Sequence, residues 1–124
     1  MVLQYRNTDI NFTGKFNHRK LSVLATLYYY TVSLGVSGLS LQELVPRTGA
    51  SYDYLRCRLP VFANASGKWR HQYILRRAAL QRNRAVIVYS LSAYGRTWLE
   101  VRTPRGLFNH YVRILKPLWT PVER

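Results

Sequence analysis

The chain has 124 residues, enough for one domain. A hydrophobic fraction of 48% argues against global disorder, and nineteen Lys and Arg against five Asp and Glu give a formal charge of +14. Such an excess repels itself within a folded chain, so it calls for a polyanionic partner, either nucleic acid or an anionic membrane surface.

Fifteen of the cations are Arg. The planar guanidinium forks onto phosphates and guanine edges, where Lys acts more as a point charge. The arginines are spread through segments that also carry apolar residues, unlike a solvated tail. The single thiol, Cys57, cannot close an internal disulfide, which favours an intracellular, cytoplasmic setting. Residues 21–42 carry no charge but include four Ser, two Thr and two Gly. Only residues 21–34 are densely apolar, fewer than the roughly 20 that a membrane span needs. Tyr28, Tyr29 and Tyr30 sit mid-run rather than at its ends, so no membrane association is expected.

Residues 1–16 read as an N-terminal arm, with residues 2–5 either a short strand or part of that arm. Asn17 can cap a first helix from His18. In that helix Leu21, Leu24, Tyr28 and Val32 share one face, and Val23, Leu27, Tyr30 and Leu34 share another, which marks it as central. Gly35 fits its end. Ser40-Leu41-Gln42-Glu43 is a capping box opening a second helix, kept short by Pro46. Arg47-Thr48-Gly49-Ala50 reads as a tight turn. Ser51 caps a third helix over residues 52–59, with possible continuation to Ala63 through a kink at Pro60; its inner face is Tyr52, Leu55, Leu59 and Phe62. Two strands follow over residues 73–79 and 85–91, with Leu80-Gln81-Arg82-Asn83-Arg84 as a polar hairpin tip between them. Ser92 caps a fourth helix, over residues 93–101, that buries Trp98 and Leu99. Pro104 separates it from a last helix over residues 106–115, and Pro117 and Pro121 make the C-terminus an extended tail. The expected organisation is one domain, 1–124, with an arm (1–16), a core (17–103) and a C-terminal helix and tail (104–124).

The order helix, short capped helix, tight turn, helix, hairpin, helix is carried by three stretches. The first runs from Ser40 through Gly49 to Arg56. The second is Tyr54-Leu55-Arg56-Cys57-Arg58-Leu59. The third is Tyr89-Ser90-Leu91-Ser92-Ala93-Tyr94-Gly95, with Trp98 and Leu99 beyond it, joining a strand end, an N-cap and a helix in one unit. Over residues 21–100 the chain resembles the winged helix-turn-helix regulators, the broad class that includes MarR-like and PadR-like proteins. The resemblance implies an α+β fold with a three-helix core, a two-stranded wing and extra C-terminal helices. It departs from that class at Pro46, at Leu59-Pro60, and in residues 64–72, which lack the usual glycine and apolar pair.

The resemblance makes residues 52–59 the recognition helix of a double-stranded DNA-binding protein, with Ser51, Tyr52, Asp53, Tyr54, Arg56, Cys57 and Arg58 at the DNA. Opposite Leu55 and Leu59 lie Asp53, Tyr54 and Cys57, flanked by Arg56 and Arg58. In the major groove such a helix reads bases with its outer face and grips phosphates with its borders. The wing and its approach would add Lys68, Arg70, Arg76, Arg77, Gln81, Arg82, Asn83 and Arg84, with no acid to balance them, for the backbone or the minor groove. Trp69 fits a core position as well as a contact surface. The last helix has more apolar residues than a monomer needs, so Leu107, Phe108, Tyr111, Ile114 and Leu115 are expected at a homodimer interface.

Enzyme chemistry is not expected. His18, His71, His110 and Cys57 have no metal-ligand spacing, no acid pair suits general acid-base work, and no glycine loop cradles a phosphate. No cofactor is implied. The alternative partner is RNA, on the same basic fold; charge alone does not separate RNA from DNA, but single-stranded RNA binding would call for aromatics exposed on a sheet.

Overall fold

The structure is a computed structural model, and it describes residues 18–63 and 72–122. Within these residues the chain is α+β, with five helices and a three-stranded antiparallel sheet of order β1-β3-β2. The helices are α1 (His18–Leu27), α2 (Leu41–Thr48), α3 (Tyr52–Ala63), α4 (Ala93–Thr97) and α5 (Arg105–Leu115). The strands are β1 (Leu39–Ser40), β2 (Ile74–Gln81) and β3 (Arg84–Leu91). This arrangement is compatible with the layout expected from the sequence. The arm at 1–16 and the cap at Asn17 lie outside the described residues, as do Lys68, Trp69, Arg70 and His71.

α1 is the central helix. Leu21, Val23, Leu24, Ala25 and Leu27 are all buried, and α2, α5 and β3 pack around them. From Tyr28 to Ser33 the helix widens into a π turn. Widening advances each residue by less than 100°, so the 3.6-residue phase read from the sequence fails there. Leu34, expected on a buried face, is 53% exposed, while Tyr29 stacks on Trp119 and Tyr30 is buried.

α2 begins at the anticipated capping box: Ser40 Oγ accepts from the Glu43 amide at 3.2 Å, and Glu43 Oε1 accepts from the Ser40 amide at 2.9 Å. The helix is short, eight residues, with Pro46 inside it. It runs on through Arg47 and Thr48, expected in a turn, and stops at Gly49 in the left-handed conformation, φ 72°. Similarly, α3 passes Pro60 and reaches Ala63. Both prolines are solvent-exposed, so the carbonyls they leave without a helical partner can bond to water.

The two-residue strand β1 was not anticipated. Leu39 pairs with Tyr89 and Ser40 with Val88, so the chain segment between α1 and α2 forms a sheet edge. The β2–β3 hairpin is longer than expected, and its tip is tighter. Gln81 pairs with Arg84, leaving only Arg82 (φ 54°) and Asn83 (φ 64°) in the turn. Two consecutive left-handed residues make a type I′ turn, whose twist matches the flanking strands. Leu80 therefore belongs to β2 and not to a polar tip.

Ser92 caps α4 by accepting from the Gly95 amide at 2.9 Å. Gly95 must be glycine here, because a Cβ would lie 2.1 Å from the Tyr73 carbonyl oxygen. α4 continues in a second π turn, Trp98–Arg102, that buries Trp98 and Leu99. α5 lies against α1, burying Leu107, Tyr111 and Leu115 in the chain's own core. Phe108 is half-buried and meets Tyr28 edge-on, and of the five expected interface residues only Ile114 is exposed, at 37%. The apolar excess that pointed to a dimer is thus used within the chain.

The C-terminal segment is not a free tail. After a short 3-10 turn, Lys116–Leu118, Trp119 folds back and is buried. Its indole donates to Thr26 Oγ1 at 3.1 Å and to the Arg47 carbonyl at 3.2 Å. Arg47 is itself buried, and its guanidinium donates to the carbonyls of Glu43, Thr120 and Pro121 and to the Tyr30 hydroxyl. The Tyr30 hydroxyl also donates to the Thr120 carbonyl.

Candidate nucleic-acid interface

α3 is held by Leu55, Leu59 and Phe62, all buried. Ser51 Oγ caps it by accepting from the Tyr54 amide at 3.1 Å. Tyr52, expected on the inner face, is 49% exposed. It occupies the first helical position, outside the core cluster. Asp53, Arg56, Cys57 and Arg58 are exposed as anticipated. Arg56 and Asp53 approach to 4.0 Å, a solvated pair that neutralises little of the surface.

Tyr54, expected on the outer face with Asp53 and Cys57, is half-buried. It lies on the Arg58 flank of the helix, and the Arg19 guanidinium sits 5.1 Å from its ring centroid. Burial raises the Tyr54 hydroxyl pKa, with Arg58 and Arg19 opposing. Lys20 follows on α1, its Nζ 3.7 Å from the centroid of Tyr73 and 4.7 Å from that of Trp98. Burial and then the repulsion of Arg58 lower the Lys20 ammonium to about 8. Arg19, Lys20 and Arg58 therefore converge where α1 meets α3. Sequence reasoning missed Arg19 and Lys20, since only the tertiary fold brings their side chains over Tyr54 and Tyr73; the one available signal was a basic pair in the first turn of a helix, where cations are electrostatically disfavoured.

The end of α3 is tied to the start of the hairpin. The Tyr73 amide donates to the Phe62 carbonyl at 3.0 Å, and Gln72 Nε2 to the Ala63 carbonyl at 3.1 Å. Among the described residues no strand pairs with the hairpin beyond the Ser40–Val88 pairing, which leaves four residues on each side past it, a length of about 13 Å at strand rise. Arg76, Arg77, Arg82, Asn83 and Arg84 are exposed along it, and Gln81 is half-buried. Residues 72–92 contain no acid. The three carboxylates among the described residues lie elsewhere: Glu43 in the α2 cap, Asp53 beside Arg56, and Glu100 held by Arg96 at 2.9 Å and by the Tyr28 hydroxyl at 2.6 Å. None faces the hairpin arginines in an ion pair, so among the described residues their charge has no compensating acid.

Among the described residues no three His, Cys, Asp or Glu gather as a metal site, and no helix is long and apolar enough to cross a membrane. Cys57 is free and exposed. The two described histidines serve packing: the Tyr111 hydroxyl meets His18 Nδ1, and buried His110 accepts from Arg113 at 3.3 Å. Comparison with known protein families, curated proteins and solved structures finds no match to this chain.

Proposed function

We propose that this chain is a winged helix-turn-helix protein that binds double-stranded DNA, as a transcriptional regulator or an architectural protein. The strand order β1-β3-β2, with β1 between the first two helices and the hairpin after the third, supports the winged-helix reading. α3 enters the major groove, with Tyr52, Asp53 and Cys57 toward base edges and Arg56 and Arg58 toward the flanking phosphates. Arg19, which is exposed, extends the phosphate-binding flank, and the charge of Lys20 lies behind it.

The observation that carries the reading is the hairpin, a narrow ribbon with four exposed arginines and no acid. Its turn holds Arg82 in the left-handed region, which costs a non-glycine residue about 1 kcal/mol. Strain kept at an exposed tip, at a position where glycine would fold more easily, points to a use for the arginine side chain. Arg82 and Arg84 grip the backbone or enter the minor groove, and phosphate neutralisation supplies most of the affinity.

A salt titration of binding to a random-sequence duplex, with duplex RNA and single strands alongside, tests this. Tightest binding to duplex DNA, with log affinity falling linearly with log salt by several units, is the expected result. Preference for RNA would move the function to RNA, and no binding at low salt would overturn it.

A further inference from the structure

We propose that the hairpin is also a wedge: Leu80 inserts between stacked base pairs in the minor groove and kinks the duplex. This rests on the DNA-binding reading and adds to it a deformation of the DNA.

The two faces of the projecting ribbon differ. The register sets Ala78 opposite Ile87 and Leu80 opposite Ala85, so these four share one face. On the other face Ala79 and Val86 are accompanied by Arg77, Gln81 and Arg84. Leu80 is 77% exposed, the most exposed of the large apolar side chains among the described residues, and Ile87 is 37% exposed. Opposite Leu80 stands only a methyl group, so the leucine projects. It is one residue from the end of β2, beside the turn that carries Arg82, with Arg84 across from Gln81.

Leu80 and Ile87, with Ala78 and Ala85 between them, make this end of the face apolar, and an exposed apolar patch rimmed by charge suits a binding partner. Charge selects the partner. The apolar tip is bracketed by arginines with no acid on the hairpin, so a second copy of the same tip is repelled and a polyanion attracted. Duplex DNA offers both surfaces. Phosphates line the groove edges, and the faces of the base pairs become accessible where a step opens. An apolar side chain pushed into a step partly unstacks it and bends the duplex toward the major groove. The minor groove, about 6 Å wide, is too narrow for a two-stranded ribbon in undistorted B-DNA, so entry of the tip and opening of the step go together.

The test uses the full chain and a duplex of about 30 base pairs carrying a fluorescent donor and acceptor at its two ends. Saturating wild-type protein shortens the end-to-end distance, and Leu80→Ser binds within a few-fold of wild type but leaves the duplex straight. Leu80 is solvent-exposed, so the variant folds, which circular dichroism checks. As a second readout, wild type prefers a duplex with a central mismatch by about tenfold, since unstacking is easier there, and Leu80→Ser loses that preference. A wild-type complex that binds tightly without bending overturns the wedge and leaves DNA binding intact, as does a bend unchanged in Leu80→Ser. Absence of binding to any duplex overturns the DNA reading itself. Leu80-dependent sedimentation with phosphatidylserine vesicles, with no Leu80 effect on DNA, would overturn the wedge in favour of a membrane surface.

Discussion

The Trp119 indole donates to the hydroxyl of Thr26, 93 residues earlier, at 3.1 Å. This contact closes the C-terminal segment over α1 and beside the buried Arg47. The Arg47 guanidinium, which has no ion-pair partner among the described residues, donates to backbone carbonyls, two of which, Thr120 and Pro121, belong to that segment. Truncating Trp119 to Ala is therefore expected to cost about 3–5 kcal/mol, as for a large buried aromatic. Trp119→Phe keeps most of the packing but loses the indole hydrogen bonds, costing about 1 kcal/mol. Urea unfolding of both variants checks the order; equal, negligible effects would mean that the segment is not part of the cooperative fold.

Strain at the hairpin turn separates folding from binding. Arg82→Gly relieves a left-handed arginine and is expected to stabilise the chain by up to about 1 kcal/mol, while removing one phosphate contact. Arg82→Ala and Arg84→Ala should each lower the salt slope of DNA binding by about one unit, whatever the DNA sequence. Salt titrations beside thermal melts show both effects. A slope unchanged in every variant would remove the hairpin from the interface.

Lys20 makes stability depend on alkaline pH. Its ammonium titrates near pH 8 in the folded chain, against 10.5 as the ordinary value. Between these values the unfolded chain holds more protons, so this group makes stability rise with pH across the window. Below pH 8 Lys20 is charged in both states and its burial penalty is present in full. Lys20→Met is expected to flatten the rise, read from denaturant midpoints at pH 7.5 and 9.5. A parallel rise in wild type and variant would exclude Lys20 as its source.

His18 and His110 act on the acid side. Burial, then the charge of His110, lowers the pKa of His18; burial, then Arg113, lowers that of His110. Both are neutral in the fold at neutral pH, and the unfolded chain takes up protons first as pH falls through 6.5. Stability is therefore expected to fall below that pH, and His110→Gln should remove part of the loss. Melting temperatures from pH 7.5 to 5 measure it; an identical slope in the variant would rule out His110.

Features whose cause lies within one turn of chain were legible in the sequence. The capping box at Ser40 and Glu43, the caps at Ser51 and Ser92, the β-branched run Val86-Ile87-Val88 and the basic hairpin all depend on neighbours a few residues away. Tertiary structure decided what depends on distant partners. Leu39 and Ser40 are a strand only because Val88 and Tyr89 present a free edge to them. The wide turn over Tyr28–Ser33 changes which tyrosines face inward, and this moved Leu34 out to solvent. Arg47 is a surface-type residue by sequence; its burial is compensated by carbonyls more than seventy residues away. The apolar face of α5 looked like an interface because nothing local shows that α1 covers it. Arg19 and Lys20 join the candidate interface for the same reason: local propensities act over a turn or a strand pair, whereas burial and field are set by whichever elements pack together.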